Sequence, residues 1–276
     1  MTVEFLVFPQ WQGSSASRAM LLSEGAHRIA EELPPLQSRF VDVLPEAGDS
    51  IGTPVKRVSS LQYARTSAQN ILSKITSTVI TVGGDLASDL AGAEYALSKH
   101  GAENVAVIWF SARGNFDTPE TAPSGAFSEM ALRALLGEGL EQLLPRVPAV
   151  SRNVIIAGVR DCSDSELANL TRAGVQILSP VDLEDPETLA QAVAETGASH
   201  AYVHIDLAVL DPSEYVSVHS PVPFGLSVSQ LSGAVRSIWS VAELAGGGIY
   251  EYAPAGSENS EDDLTTVLRL IAALTA

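Results

Sequence analysis

The chain has 276 residues, 46% of them hydrophobic, a formal charge of −17 and one cysteine, Cys162. That length and apolar content can bury a full core in one domain without cross-links, and a single cysteine rules out an intramolecular disulfide or a thiolate metal cluster. The acidic balance argues against nucleic acid and anionic membranes as partners, both of which call for clustered Lys and Arg, and weakly favours cationic ligands.

The first residues, Met1-Thr-Val-Glu-Phe-Leu-Val-Phe-Pro9, lack the basic start and long apolar core of a signal peptide. No later apolar run reaches the length of a membrane span, so a soluble, cytoplasmic protein is expected. Val3–Phe8 reads as a strand, 16–33 as a helix stopped by Pro34-Pro35, and 39–44 as a second strand. An amphipathic pattern over 55–75 precedes a strand at 78–82, which ends in Gly83-Gly84-Asp85. A helix over 87–100 then leads to a strand at Val105–Phe110. Further strands are expected at 154–159, 175–178, 201–205 and 248–252. Helices fit 163–173, 185–195, 229–243 and 261–274, with Asp185-Pro186 and Ser260 as start signals. Loops rich in Gly, Pro and Ser near 44–54 and 117–125 are short enough to lie inside one domain, 1–276. Strands separated mostly by helices imply an α/β fold with one doubly wound, mainly parallel, eight-stranded sheet.

The strand at Val105–Phe110 is an unbroken apolar run that gives way abruptly to Ser111-Ala-Arg113-Gly-Asn115. Buried parallel strands read this way, and ligands bind beyond their carboxyl ends. Ser111, Arg113 and Asn115 are therefore candidates for a pocket floor; the alternative is an ordinary strand exit with a solvated arginine. His204 and Asp206, two apart on a strand, face the same side. His204 can be a neutral, hydrogen-bonded histidine of the pocket or a ligand of a single weakly held ion. Ser111 or Ser128 with His204 and Asp206 would supply the ingredients of a hydrolytic triad, but neither serine lies in a Gly-x-Ser-x-Gly elbow. Cys162 reads as a buried or incidental thiol, with a reactive one as the alternative.

Several segments, taken together and in this order, resemble the ureohydrolase superfamily of arginase, agmatinase and formimidoylglutamase. They are Thr81-Val-Gly-Gly-Asp85, Trp109-Phe-Ser-Ala-Arg-Gly-Asn115 with Thr118-Pro119 and Ser124-Gly125, and His204-Ile-Asp206 with Leu210-Asp-Pro212. Pro221-Val-Pro-Phe-Gly-Leu-Ser227 and Glu251-Tyr-Ala-Pro254 complete the set. Singly these motifs are commonplace. The resemblance implies a three-layer arginase-like domain and two bridged Mn²⁺ ions, held by His and Asp, that activate a hydroxide to attack a guanidinium or amidine carbon. Carried over residue by residue, most of the ligand set is missing. Leu86 stands in place of the first histidine, Ser111, Arg113 and Asn115 replace the next three ligands, and Ala208 replaces the last aspartate. Of the ligand positions only Asp206 is unchanged. The histidine that usually follows the Ser-Gly-Asn turn aligns with Ser128.

No metal is expected on this reading, and the chain is expected to be a catalytically silent homologue with a binding, regulatory or structural role. The alternative is a hydrolase of a guanidino or amidino C–N bond with an altered centre, in which case Mn²⁺ is the cofactor. Arg113 is expected to replace the metal charge by pairing with Asp206, and with Asp85, through its fork of donors. Removing the guanidinium would then strand a buried carboxylate, at roughly 3–5 kcal/mol. The resemblance places Asp117 and Ser124 where substrate is recognised and Glu251 where an acid faces the guanidinium. With Asp206 they would favour a small amine or guanidino ligand. Alternatively, Asp117 is a turn residue and Arg113 fills the cleft. The resemblance also implies a homo-oligomer.

Overall fold

A segment such as Val105–Phe110, apolar on both faces, is satisfied only between two layers of helices. The computed structural model describes residues 2–254 and 260–276. In chain order the elements are β1 (Val3–Phe8), α1 (Met20–Glu31), β2 (Ser38–Phe40), α2 (Val58–Leu72), β3 (Thr78–Gly83) and α3 (Asp89–His100). Then come β4 (Val105–Phe110), α4 (Ala131–Leu135), β5 (Val154–Ala157), α5 (Asp164–Ala173), β6 (Gln176–Leu178) and α6 (Pro186–Glu195). The last are β7 (His200–Asp206), α7 (Val228–Ile238), β8 (Glu243–Tyr250) and α8 (Ser260–Leu274).

Among the described residues eight strands form one sheet in the order β2-β1-β3-β8-β7-β4-β5-β6, and each pairing is parallel. Alternation along each strand divides the core. Ala106, Ile108 and Phe110 of β4 pack with α1, α6, α7 and α8 on one face, whereas Val105, Val107 and Trp109 pack with α2, α3, α4 and α5 on the other. This is the expected three-layer architecture. No helix among the described residues is long and apolar enough to cross a membrane.

Sequence signals at the element ends have visible causes. Ser163 and Asp185 cap α5 and α6 by accepting from the N–H groups of Glu166 and Glu187. Ser227 and Gln230 form a reciprocal capping box that starts α7 at Val228; the expected Ser260 cap is a side chain outside the described ones. The helix expected from 16 begins at Met20, after a turn. The expected strand 39–44 shortens to Ser38–Phe40, because this edge strand has only β1 to pair with. The larger correction concerns β8, expected at 248–252 and found at Glu243–Tyr250, while the helix expected over 229–243 stops at Ile238. The glycines at 246–248 in the middle of β8 lower strand propensity. The packing demands them: a Cβ at Gly247 would meet the Val203 carbonyl oxygen at 2.5 Å.

β3 and β4, consecutive strands in the chain, lie on opposite sides of the β8-β7 pair. Their following loops part around the ends of β7 and β8 and open a crevice at the carboxyl edge.

Candidate functional site

The crevice is a cavity of about 320 Å³. Its lining brings together Arg113, Asn115, Asp117, Ser128, Asp206 and Glu251 with Leu86 and Ala208, all singled out from sequence. Asp85, Ser111 and His204, each fully buried, lie behind this lining, and Ser124 lies outside it. Ser14, Glu129, Asp161, Glu166, His219 and Ser220 also line the cavity. Sequence reasoning missed them, although Asp161 follows the end of β5 and could have been found by the same strand-end rule that found Arg113.

Asp206 ends β7 and is 3% exposed. Its carboxylate accepts from Ser111 Oγ at 2.9 Å and from the Ala208 N–H at 2.9 Å. Arg113 is not its partner, contrary to expectation. Instead the guanidinium meets Asp161, Nε to Oδ2 at 3.1 Å, and donates to the Ser220 carbonyl at 3.3 Å. The reason is local: the β5 exit runs alongside the β4 exit, with the N–H groups of Arg160 and Asp161 both donating to the Ala112 carbonyl. Asp161 is thereby brought to Arg113. Asp85 is likewise not an arginine partner. It accepts from Gln10 Nε2 at 3.0 Å, the Gly13 N–H at 2.7 Å and the Ala87 N–H at 2.8 Å. Burial pushes its carboxyl up to about 6, and these donors hold it back from a larger rise.

Asn115 is held in the left-handed region, φ +50°. Both of its amide atoms are committed: Oδ1 accepts from Trp109 Nε1 at 3.1 Å and Nδ2 donates to the Ser128 carbonyl at 3.1 Å. Glu251, directly after β8, also has a positive φ, +69°, with its N–H bonded to the Gly84 carbonyl at 2.9 Å. Burial pushes its carboxyl well above the usual range. The Asp206 and Asp85 carboxylates add to the rise, and Arg113 opposes it. Asp117 serves a turn, accepting from Thr121 Oγ1 at 2.9 Å, while still lining the cavity. Ser124 Oγ donates to Glu129 at 2.6 Å.

His204 departs from the expected pocket position. It faces the same side of β7 as Asp206 but lies one layer deeper. There its Nδ1 is 3.0 Å from Asp89 Oδ2 and its ring stacks on Trp109 at 3.5 Å. Among the described residues neither candidate serine bonds to it: Ser111 Oγ donates to Asp206, and Ser128 Oγ donates to the Gly13 carbonyl. The triad arrangement is therefore absent. Cys162 Sγ donates to Glu166 at 3.1 Å, and burial with that carboxylate pushes the thiol up to about 12, away from the nucleophilic thiolate form.

Arg160 frames the cavity from outside. Its guanidinium donates to the carbonyls of Gly158, Ala208, Leu210, Val222 and Pro223, which ties the β5 exit to both ends of the connection between β7 and α7. Among the described residues no group of three or more His, Cys, Asp or Glu is placed to hold a metal ion.

A family model described as the Arginase family matches residues 13–276. An N(omega)-hydroxy-L-arginine amidinohydrolase from Streptomyces lavendulae is 27% identical over 269 residues, 95% of this chain and 94% of its own length. An arginase from Bacillus caldovelox is 29% identical over 215 residues, 74% of this chain and 71% of its own length. Among solved structures, an Entamoeba histolytica arginase in complex with L-ornithine superposes with a TM-score of 0.85 at 18% identity, covering 99% of this chain and 98% of that one. A Bacillus subtilis arginase gives 0.81 at 20% identity, covering 99% and 98%. These two likenesses speak to the fold.

Proposed function

We propose that this chain, which belongs to the arginase family, is a metal-free member that binds a small cationic ligand and does not hydrolyse it. The observation that carries this reading is the state of the side chains where the family resemblance puts metal ligands. Leu86 and Ala208 offer no donor atom, and Arg113 brings a cation. Both amide atoms of Asn115 are already bonded, and Ser111 is a hydrogen-bond donor to Asp206. A pair of divalent ions needs several anionic or imidazole ligands around a shared water, and this donor set does not fit one.

What supports a cationic ligand is the cavity's acidic lining. Asp117, Glu129, Asp161, Glu166, Asp206 and Glu251 line it against one arginine, itself paired with Asp161. An amine or guanidinium can collect charge-assisted hydrogen bonds there.

A second reading, hydrolysis of a guanidino or amidino C–N bond with an altered centre, is favoured by the hydrolase names of the curated relatives. Metal analysis of protein purified with added Mn²⁺ separates the two. The first reading expects substoichiometric Mn²⁺ and no urea from arginine or agmatine. Stoichiometric Mn²⁺ with turnover would establish the second.

A further inference from the structure

Beneath the cavity floor lies a buried polar cluster that the reading above does not use. Asp89, the first residue of α3, is fully buried. Its Oδ1 accepts from the hydroxyls of both Tyr202 and Tyr250, and its Oδ2 faces His204 Nδ1 at 3.0 Å. The His204 ring is held between Trp109, with centroids 3.5 Å apart and planes 2° from parallel, and Tyr250 at 4.6 Å and 15°. Glycine makes room for this layer. A Cβ at Gly248, the β8 residue in register with His204, would meet the Tyr250 hydroxyl at 1.9 Å.

The members of the cluster lie on the central strands, and the floor of the cavity emerges just beyond them. Trp109 on β4 precedes Ser111 by two residues, His204 on β7 precedes Asp206 by two, and Tyr250 on β8 immediately precedes Glu251. Trp109 also reaches the lining directly through its bond to Asn115. A carboxylate with such donors in a fully buried layer forms strong, directional bonds, and each missing one is costly. At the first turn of α3 it also faces the positive end of the helix dipole.

We propose that Asp89 is the positioning residue of the cavity. Through Tyr202, Tyr250 and His204 it pins the ends of β4, β7 and β8, so that Ser111, Asp206 and Glu251 keep their spacing without a metal. The inference rests on the metal-free reading of the site. It assigns to one carboxylate the task that ligand bonds to a metal pair would otherwise perform.

Hydrogen exchange measured by mass spectrometry tests it on the full chain. Asp89→Ala should speed exchange roughly tenfold in peptides covering 111–117, 204–210 and 248–252, while α6 and α7 on the opposite layer keep parental protection. Asp89→Asn, which returns an acceptor to the tyrosines and a polar partner to His204, should restore part of that protection. Should Asp89→Ala fail to fold, Tyr250→Phe removes one hydroxyl and should loosen the same peptides to a smaller degree. Parental exchange at the strand ends in these variants overturns the proposal. So does a uniform rise along the whole chain, which would make Asp89 merely structural. In the parent, EDTA should leave the pattern unchanged; protection gained only with Mn²⁺ would overturn the metal-free reading, while the Asp89 variants would still decide the positioning role.

Discussion

Arg113 Nε lies 3.1 Å from Asp161 Oδ2 at the cavity lining, with the two side chains 36% and 55% exposed. Exposed pairs of this kind contribute about 0–1 kcal/mol, because water screens the attraction and two long side chains must be ordered. Arg113→Ala should therefore cost no more than about 1 kcal/mol in a denaturant melt. It should also strengthen binding of agmatine in calorimetry, because the competing guanidinium leaves the cavity. A loss of several kcal/mol would mean that Arg113 supports a buried carboxylate after all.

The residue that does support Asp206 is Ser111. Its hydroxyl is fully buried and donates to the carboxylate at 2.9 Å. Ser111→Ala removes a hydrogen bond to a charged group and should destabilise by roughly 1.5–3 kcal/mol. Equilibrium unfolding in urea would read this directly, and an effect below about 0.5 kcal/mol would show that water or a neighbour replaces the hydroxyl.

Glu251 supplies a pH test. Its carboxyl is raised above the ordinary value of 4.5 by burial first and by Asp206 and Asp85 next. A carboxyl raised on folding contributes stability that is complete below the unfolded value and is lost as pH rises through the folded one. The parent should thus lose stability from this group above about pH 4.5. Glu251→Gln stays neutral, so it should be the more stable protein at pH 8, with the difference closing towards pH 4. Parallel stability curves for the two proteins would show that its surroundings do not raise the Glu251 carboxyl.

Much of the architecture was legible because its signals are local. Val105–Phe110 announces a strand covered on both faces, and Asp185-Pro186 announces a helix start. The segments that carried the family resemblance also sit at the strand ends that build the cavity. What sequence could not supply was partnership across the sheet edge. Arg113 meets Asp161 only because two strand exits run side by side, a contact between residues 48 apart in number. Asp89 gave no signal, since an acid in the first turn of a helix is ordinary. Its meaning depends on Tyr202, His204 and Tyr250 arriving from β7 and β8. The glycines of β8 hid the first half of that strand for the reason that they are needed there.

The Arg160 clasp bears on how such a site changes over time. Its acceptors at Gly158, Ala208, Leu210, Val222 and Pro223 are all main-chain carbonyls. A carbonyl is present whatever side chain a residue carries. The loops at the cavity rim are therefore anchored by atoms that substitution does not remove, and positions such as 208 are free to exchange a functional group for a methyl without unfastening the loop. Mutational drift can then rewrite the chemistry of this cavity while its outline is inherited nearly intact.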